Sequence, residues 1–160
     1  MIETLLCLAM NIYFEARDQE ILGQIAVTHV VLNRVESEEY PEEPCAVVKE
    51  GPTYSWAPHL PVRHRCQYSW YCDGLSDDPK NKEAWGNAVL VAFVAQFMDD
   101  VTDGATHYHA SYVSPAWANH LVQTVTIGDH QFFRKDPSKG HSASEDPRRL
   151  VARRLLSIQE

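Results

Sequence analysis

The stretch that decides the fold covers residues 11–35 and reads NIYFEARDQEILGQIAVTHVVLNRV. Its apolar side chains recur at steps of three and four residues, which is the pattern of amphipathic helices. The pattern breaks at Arg17-Asp18, so it predicts one helix that ends near Glu15 and a second over about residues 21–36. The N-terminal part of the chain is therefore predicted to be two helices in succession.

Two further helices and a long loop are predicted downstream. The segment CAVVKEG predicts a short helix that ends at Gly51, and the Pro-rich run from Gly51 to Arg65 reads as an irregular loop. From about Asn81 to Met98 the chain again has helical spacing, and it is too apolar there to be surrounded by solvent.

Extended segments complete the pattern. Gln67 to Tyr71 alternates aromatic and polar residues, which predicts a short strand or hairpin. THYHASYV also alternates, and LVQTVTIGDHQFF reads as two short strands joined at Gly128-Asp129. The chain is therefore predicted to have an α+β fold, mainly helical, with a small antiparallel sheet.

Size and charge limit the possible functions. The 160 residues suit one domain, and apolar and charged fractions of 44% and 22% are typical of a globular protein. A net charge of −8 argues against a nucleic-acid partner. The apolar start has no basic region before it and no cleavage site after it, so we expect no signal peptide and synthesis in the cytoplasm.

Four cysteines form no C-x-x-C pair, which makes a zinc knuckle or thioredoxin-like site improbable. Buried thiols are one interpretation of Cys7, Cys45, Cys66 and Cys72. A disulfide between Cys66 and Cys72 is the other, because their spacing permits it in an oxidising compartment.

The composition changes after Arg134. Residues 135–160 read as a polar linker followed by a short basic amphipathic helix, RRLVARRLLSI. This helix either packs on the domain through its leucines or contacts an anionic bacterial envelope.

Glu15 is the residue that stands out chemically. It lies among apolar residues near a helix end, where partial withdrawal from water keeps a carboxylic acid protonated to higher pH. A glycosidase needs such an acid. A salt bridge or a helix cap would explain an isolated glutamate equally well, so the residue alone does not decide the function.

The order of several motifs along the chain indicates a function for Glu15. The stretch quoted at the outset resembles the opening motif of the SleB family of cell wall hydrolases. Four later blocks are similar to the remaining family blocks in the same order: YPEEPCAVVKE, CQYSWYCDG, GATHYHASYVSPAWA and VTIGDHQFF. The resemblance covers about residues 3–133, and the chain is similar in particular to the phage endolysin branch.

The resemblance implies a lysozyme-like catalytic domain over residues 1–134 that acts without a cofactor or bound metal. Its substrate would be the bond between N-acetylmuramic acid and N-acetylglucosamine in peptidoglycan. The implied reaction is lytic transglycosylation, in which Glu15 of the E-A-R motif protonates the leaving oxygen and then activates the muramoyl 6-hydroxyl. A two-carboxylate muramidase is the alternative, with Glu20, Asp18 or Asp73 as the second acid.

Two other blocks supply the remaining candidates. The family's Q-F-S/T block is here Gln67 to Trp70, and a run of aromatics is here His107 to His109. Besides Glu15, the catalytic candidates are Tyr108 and Ser69. Aromatic rings and amides suit sugars, and the predicted substrate-binding residues are Gln67, Tyr68, Trp70, His107 and His109. Tyr68 and Trp70 could instead only close the core.

Two other classes of function stay open. A metal-dependent amidase could use His107, His109, His120 and His130, although no recognised ligand motif accompanies them. A wall-binding module without catalysis is the other. We expect a monomer that acts on the cell wall, as a phage lysis enzyme released through a pore made by another protein would.

Overall fold

The computed structural model describes residues 2–136 and Ser138, and the predicted α+β class is confirmed. The helices are α1 (Ile2–Glu15), α2 (Ile21–Val35), α3 (Pro44–Val48) and α4 (Lys82–Ala95). The strands are β1 (Thr53–Tyr54), β2 (Ala57–Pro61), β3 (His107–Ala110), β4 (Val122–Ile127) and β5 (His130–Arg134). Two short 3-10 helices cover Ser69–Cys72 and Ala116–His120.

The main core forms where α1 packs against α2, α3 and α4. Leu8 and Ile12 of α1 are buried there because the apolar stripe of this helix faces its neighbours. On α4 the buried side is formed by small residues such as Ala88 and Ala92, while Phe93 is 52% exposed. Apolar residues of α4 therefore lie both on its core-facing side and on its exposed side.

The three-stranded sheet has the order β3-β5-β4, and both pairs are antiparallel. β4 and β5 are joined at Gly128 and Asp129, as the sequence predicts, and Gly128 has φ +56°, a left-handed conformation that favours glycine. Tyr108 of β3 lies opposite Phe132 of β5. This pairing places Tyr108 beside the helical layer.

Gln19, in the turn between α1 and α2, links that turn to the β4-β5 hairpin. Its Nε2 atom donates to the Asp129 carboxylate at 3.2 Å, and its Oε1 atom accepts from the Asp129 backbone N–H at 3.1 Å. A Cβ atom on Gly128 would lie 2.6 Å from the same Oε1 atom. The end of α1 and the hairpin are thus held at a fixed separation.

Two local predictions are wrong. The segment Gln67 to Tyr71 is no strand: it leads into the 3-10 helix Ser69–Cys72, whose Trp70 is buried and anchored to Asn11 by a 3.1 Å hydrogen bond. The loop predicted from Gly51 to Arg65 contains the β1-β2 hairpin. The first error arises because contact with Asn11, 59 positions away in the sequence, overrides a short alternating pattern. The second concerns a local hairpin whose prolines mask the strand pattern.

Both pairs of cysteines form disulfides. Cys66–Cys72, one of the two interpretations from sequence, closes the loop around the first 3-10 helix. Cys7–Cys45 was not anticipated and corrects the interpretation of these two residues as thiols. It joins α1 to α3 across a sequence separation of 38 residues, which spacing alone does not reveal.

The linker and basic helix predicted over residues 135–160 lie, apart from positions 135, 136 and 138, outside the described residues. Within the part of the chain that the structure describes, no helix combines the length and apolarity needed to cross a bilayer.

Candidate active site

A small pocket of about 190 Å³ opens where the end of α1 meets α2 and the three-stranded sheet. Its walls combine one carboxylic acid, one guanidinium and several aromatic or amide side chains. The lining residues are Glu15, Arg34, Gln67, Tyr68, His107, Tyr108 and Trp117.

Glu15 is the last residue of α1, and its side chain is partly buried in this pocket. The Tyr108 hydroxyl donates a hydrogen bond to Glu15 Oε2 at 3.1 Å. Burial raises the pKa of Glu15, while the Tyr108 hydrogen bond and the Arg34 charge act in the opposite direction with smaller effect. The group therefore keeps its proton to higher pH than an exposed glutamate.

Tyr108 keeps its hydroxyl proton under ordinary conditions and can donate it in a hydrogen bond to Glu15. Burial, together with the nearby Glu15 charge, raises its pKa well above that of a free tyrosine. Its ring is held against Phe132 and His130, with centroid separations of 5.7 and 5.3 Å. The hydroxyl is thus fixed in position and stays protonated.

Arg34, near the end of α2, brings a positive charge into the pocket. Its Nε atom donates to the Thr106 carbonyl at 2.7 Å, and its guanidinium lies over the rings of Tyr40 and Tyr68, 5.1 and 5.3 Å from their centroids. Only 6% of Arg34 is exposed. No ion pair found among the described residues includes it.

His107 lines the pocket as a neutral ring. Burial, followed by the Arg34 charge, lowers its pKa to about 4. Its ring packs near Trp117, with centroids 5.3 Å apart. Near neutral pH, Arg34 is therefore the charged group of the pocket as long as Glu15 is protonated.

The pocket unites five of the predicted site residues and leaves three outside. Those inside are Glu15, Gln67, Tyr68, His107 and Tyr108. Ser69 is exposed at the start of the 3-10 helix. Trp70 stacks on Phe14 at 5.0 Å, and His109 stacks on Phe133 at 5.0 Å beside a different, shallower pocket.

Two pocket residues were missed from sequence. Neither Arg34 nor Trp117 is among the site residues predicted from sequence. The family block GATHYHASYVSPAWA contains Trp117, so the resemblance could have indicated it. For Arg34 no local signal exists, because its position depends on how α2 packs against β3.

The two alternatives that need a second carboxylate or a group of metal ligands gain no support from this geometry. Glu15 is the one carboxylic acid among the residues that line its pocket, whereas Asp18 and Glu20 are exposed beyond the end of α1. Asp73 lies elsewhere, and its carboxylate accepts from the Leu75 backbone. Within residues 2–136 and 138, no three His, Cys, Asp or Glu side chains are grouped as a metal site.

Comparisons with known proteins agree with the fold. A family model described as Cell Wall Hydrolase matches residues 18–133, a range that begins just after Glu15. The catalytic domain of the germination-specific lytic transglycosylase SleB from Bacillus anthracis is 26% identical, with a TM-score of 0.63 over 82% of this chain and 93% of that one.

The catalytic domain of the Bacillus cereus SleB protein is similar as well. It is 25% identical, with a TM-score of 0.60, and the match covers 82% of this chain and 91% of that one. A search of curated proteins found no significant match. The solved structures confirm the resemblance to SleB and the lysozyme-like α+β fold that the sequence predicts.

Proposed function

Because the chain belongs to the cell wall hydrolase family, we propose that it cuts the glycan strands of peptidoglycan with Glu15 as general acid and base. The proposed bond joins N-acetylmuramic acid to N-acetylglucosamine. One observation carries the assignment to Glu15: its partly buried carboxyl group is the one acid of the pocket, and burial raises its pKa. This argument is independent of the family match, which begins at residue 18.

In the first step Glu15 donates its proton to the glycosidic oxygen. Tyr108 already donates to Oε2, so Oε1 is the atom that carries the proton towards the substrate. The bond between the anomeric carbon and that oxygen then breaks, the N-acetylglucosamine side leaves as an alcohol, and positive charge develops on the muramoyl ring. The new Glu15 carboxylate is stabilised by the Tyr108 hydrogen bond and the Arg34 charge.

In the second step the same carboxylate accepts a proton from the muramoyl 6-hydroxyl. That oxygen attacks the anomeric carbon of its own ring, which forms a 1,6-anhydro sugar and returns Glu15 to its protonated form. An intramolecular nucleophile has a high effective concentration, so neither a second carboxylate nor a bound water is needed. The pocket with its single acid is suited to this lytic transglycosylation, the activity named for the Bacillus anthracis neighbour.

The two disulfides favour action outside a reducing compartment, since such bonds persist where the surroundings are oxidising. We therefore propose that the enzyme works at the wall itself.

Replacement of Glu15 tests the proposal. The Glu15→Gln variant should digest purified peptidoglycan about 10²–10⁴-fold more slowly, which is the usual contribution of a general acid, while its circular dichroism spectrum stays unchanged. Glu20→Gln is the matched control, because Glu20 is exposed outside the pocket. Wild-type rates in Glu15→Gln would disprove the assignment.

Mass spectrometry of the wild-type products identifies the reaction. Muropeptides with 1,6-anhydro ends support transglycosylation. Reducing muramic acid ends would mean hydrolysis by water, and released peptides would mean an amidase. Pelleting with the wall but no products would identify a binding module.

A further inference from the structure

Two residues that line the Glu15 pocket each carry a buried hydrogen-bond donor that has no partner among the described residues. The donors are Nη1 of Arg34 and the hydroxyl of Tyr68, whose residues are 6% and 3% exposed. A buried polar group without a partner costs folding free energy, and a buried charge costs more. Such a pair in a pocket wall is explained when a ligand supplies the acceptors.

The two donors belong to one rigid unit. The Arg34 guanidinium lies 5.3 Å from the Tyr68 ring centroid, and its Nε atom is fixed by the Thr106 carbonyl. Burial raises the pKa of Tyr68 to about 12, so its hydroxyl remains a donor at neutral pH. Both groups can therefore donate to an acceptor on a ligand.

The charge of the pocket indicates which acceptor fits. His107 is neutral near pH 7, and no ion pair among the described residues includes Arg34, so its positive charge has no counter-ion in contact. An anion with two oxygen atoms would balance it and could accept from a guanidinium and a hydroxyl together.

The substrate of the proposed function contains such a group. Muramic acid differs from glucosamine by a lactyl ether on C3, two ring atoms from the anomeric carbon, and its carboxyl group is free where no stem peptide is attached. The lactyl carboxylate therefore belongs to the same sugar whose glycosidic bond would lie at Glu15.

We propose that Arg34 and Tyr68 bind the free lactyl carboxylate of muramic acid, a proposal that rests on the proposed function. The enzyme would then prefer glycan strands without stem peptides. Arg34 is not among the site residues predicted from sequence, and Tyr68 acts here through its hydroxyl rather than through its ring face. The pair determines specificity and does not transfer protons.

A matched pair of substrates tests this assignment. Glycan strands are stripped of peptides by an amidase, and half of the sample is converted to lactyl methyl esters, which keep the carbonyl oxygen but lose the charge. The wild-type enzyme should cleave the free-acid strands with at least about tenfold higher kcat/KM, which is the scale of one hydrogen bond to a charged group. Equal values would overturn the proposal and would indicate a neutral acceptor such as an acetamido oxygen.

Variants connect this preference to the two residues. Tyr68→Phe should raise KM about tenfold on free-acid strands with little change in kcat, because the lost contact binds substrate and transition state alike. The effect on the esters should be small. Tyr112→Phe is the matched control, since Tyr112 is 86% exposed.

Arg34→Gln should remove the preference for the free acid, and Arg34→Lys should restore part of it because the charge returns without the planar fork. Because the Arg34 charge also stabilises the Glu15 carboxylate, kcat should fall on both substrates, and the ratio of the two kcat/KM values is the readout. A purely structural role would leave that ratio unchanged. The hydroxyl of Tyr68 has no partner within the part of the chain that the structure describes, so Tyr68→Phe should unfold no earlier than the wild-type protein. This variant therefore tests the proposal even if the Arg34 variants do not fold.

Calorimetry with N-acetylmuramic acid and its methyl ester separates this proposal from the proposed function. Tighter binding of the free acid by the wild-type protein, weakened by Tyr68→Phe, supports the donor pair even if no strand is cut. Cleavage of both substrates with no difference in binding overturns the donor pair and leaves the role of Glu15 intact.

Discussion

Two adjacent residues on α2, Asn33 and Arg34, are both buried and both polar, yet their surroundings differ. The amide nitrogen of Asn33 lies within 3.1 Å of oxygen atoms of Asp100, Thr102 and Ala105. Arg34, one position later, has an Nη1 atom with no acceptor among the described residues and lines the Glu15 pocket. Burial of a polar group therefore does not by itself indicate a site, whereas an unpartnered donor on a residue that lines the pocket of a candidate acid does.

The first test of the contrast between Asn33 and Arg34 removes Asp100, the central acceptor of the hydrogen-bond network around Asn33. The Asp100 carboxylate accepts from the backbone N–H groups of Thr102 and Gly104 and from the Thr102 hydroxyl. Asp100→Ala removes the acceptor of these three donors and one of the acceptors of the Asn33 amide, so we expect a loss of about 2–4 kcal/mol in unfolding free energy at pH 7. Urea denaturation measures it.

The same network has a defined pH dependence. Burial alone would raise the pKa of Asp100, but hydrogen bonds from Thr102, Gly104 and Asn33 outweigh it and lower the pKa. A lowered pKa contributes stability above the pKa of the unfolded chain, and that stability is lost as pH falls through the folded value. The difference between wild type and Asp100→Ala should therefore shrink in acid. A difference that is constant with pH would contradict the network.

Substitution of a residue in the pocket should change catalytic activity more than the stability of the fold. Tyr108→Phe removes the hydrogen bond that holds Glu15 Oε2, so we expect about tenfold lower kcat, the scale of one hydrogen bond to a charged group. Because that bond lowers the pKa of Glu15, its removal raises the pKa. Activity needs the protonated acid, so the fall in rate on the alkaline side should move to higher pH. An unchanged pH profile would exclude coupling of the two groups.

The smallest expected effect is on the stability of the catalytic variant. Since the pKa of Glu15 is raised in the folded protein, ionisation of this group favours the unfolded chain above its unfolded pKa. Glu15→Gln should therefore have a slightly higher melting temperature than the wild type at pH 8 and no advantage at pH 4. A lower melting temperature at pH 8 would mean that the carboxylate stabilises the fold instead.

The same contrast explains what could be predicted from sequence. The periodicity of residues 11–35 predicts α1, α2 and the position of Glu15 at a helix end, because these features depend on near neighbours along the chain. The β4-β5 hairpin is predicted for the same reason. The Cys7–Cys45 disulfide and the 3-10 helix at Ser69–Cys72 depend on distant parts of the chain, and no local pattern indicates them.

Within the site, the resemblance indicates side chains but not their partners. It draws attention to Tyr108, yet the hydrogen bond from its hydroxyl to Glu15 joins residues 93 positions apart. Asn33 and Arg34 look alike as helix residues, and only the packed fold separates the satisfied one from the unsatisfied one. The groups that lack hydrogen-bond partners can therefore be identified only from the structure.

The contacts of Gln19 constrain how this protein can change over generations. Its amide fits the Asp129 carboxylate and backbone while the neighbouring glycine leaves space for it. Replacing one member alone would misplace the hairpin relative to the helix that ends in Glu15, so positions 19, 128 and 129 should covary among relatives. A β4-β5 hairpin grafted from a relative would need that relative's own residue at position 19 to keep Glu15 in the same position relative to the sheet.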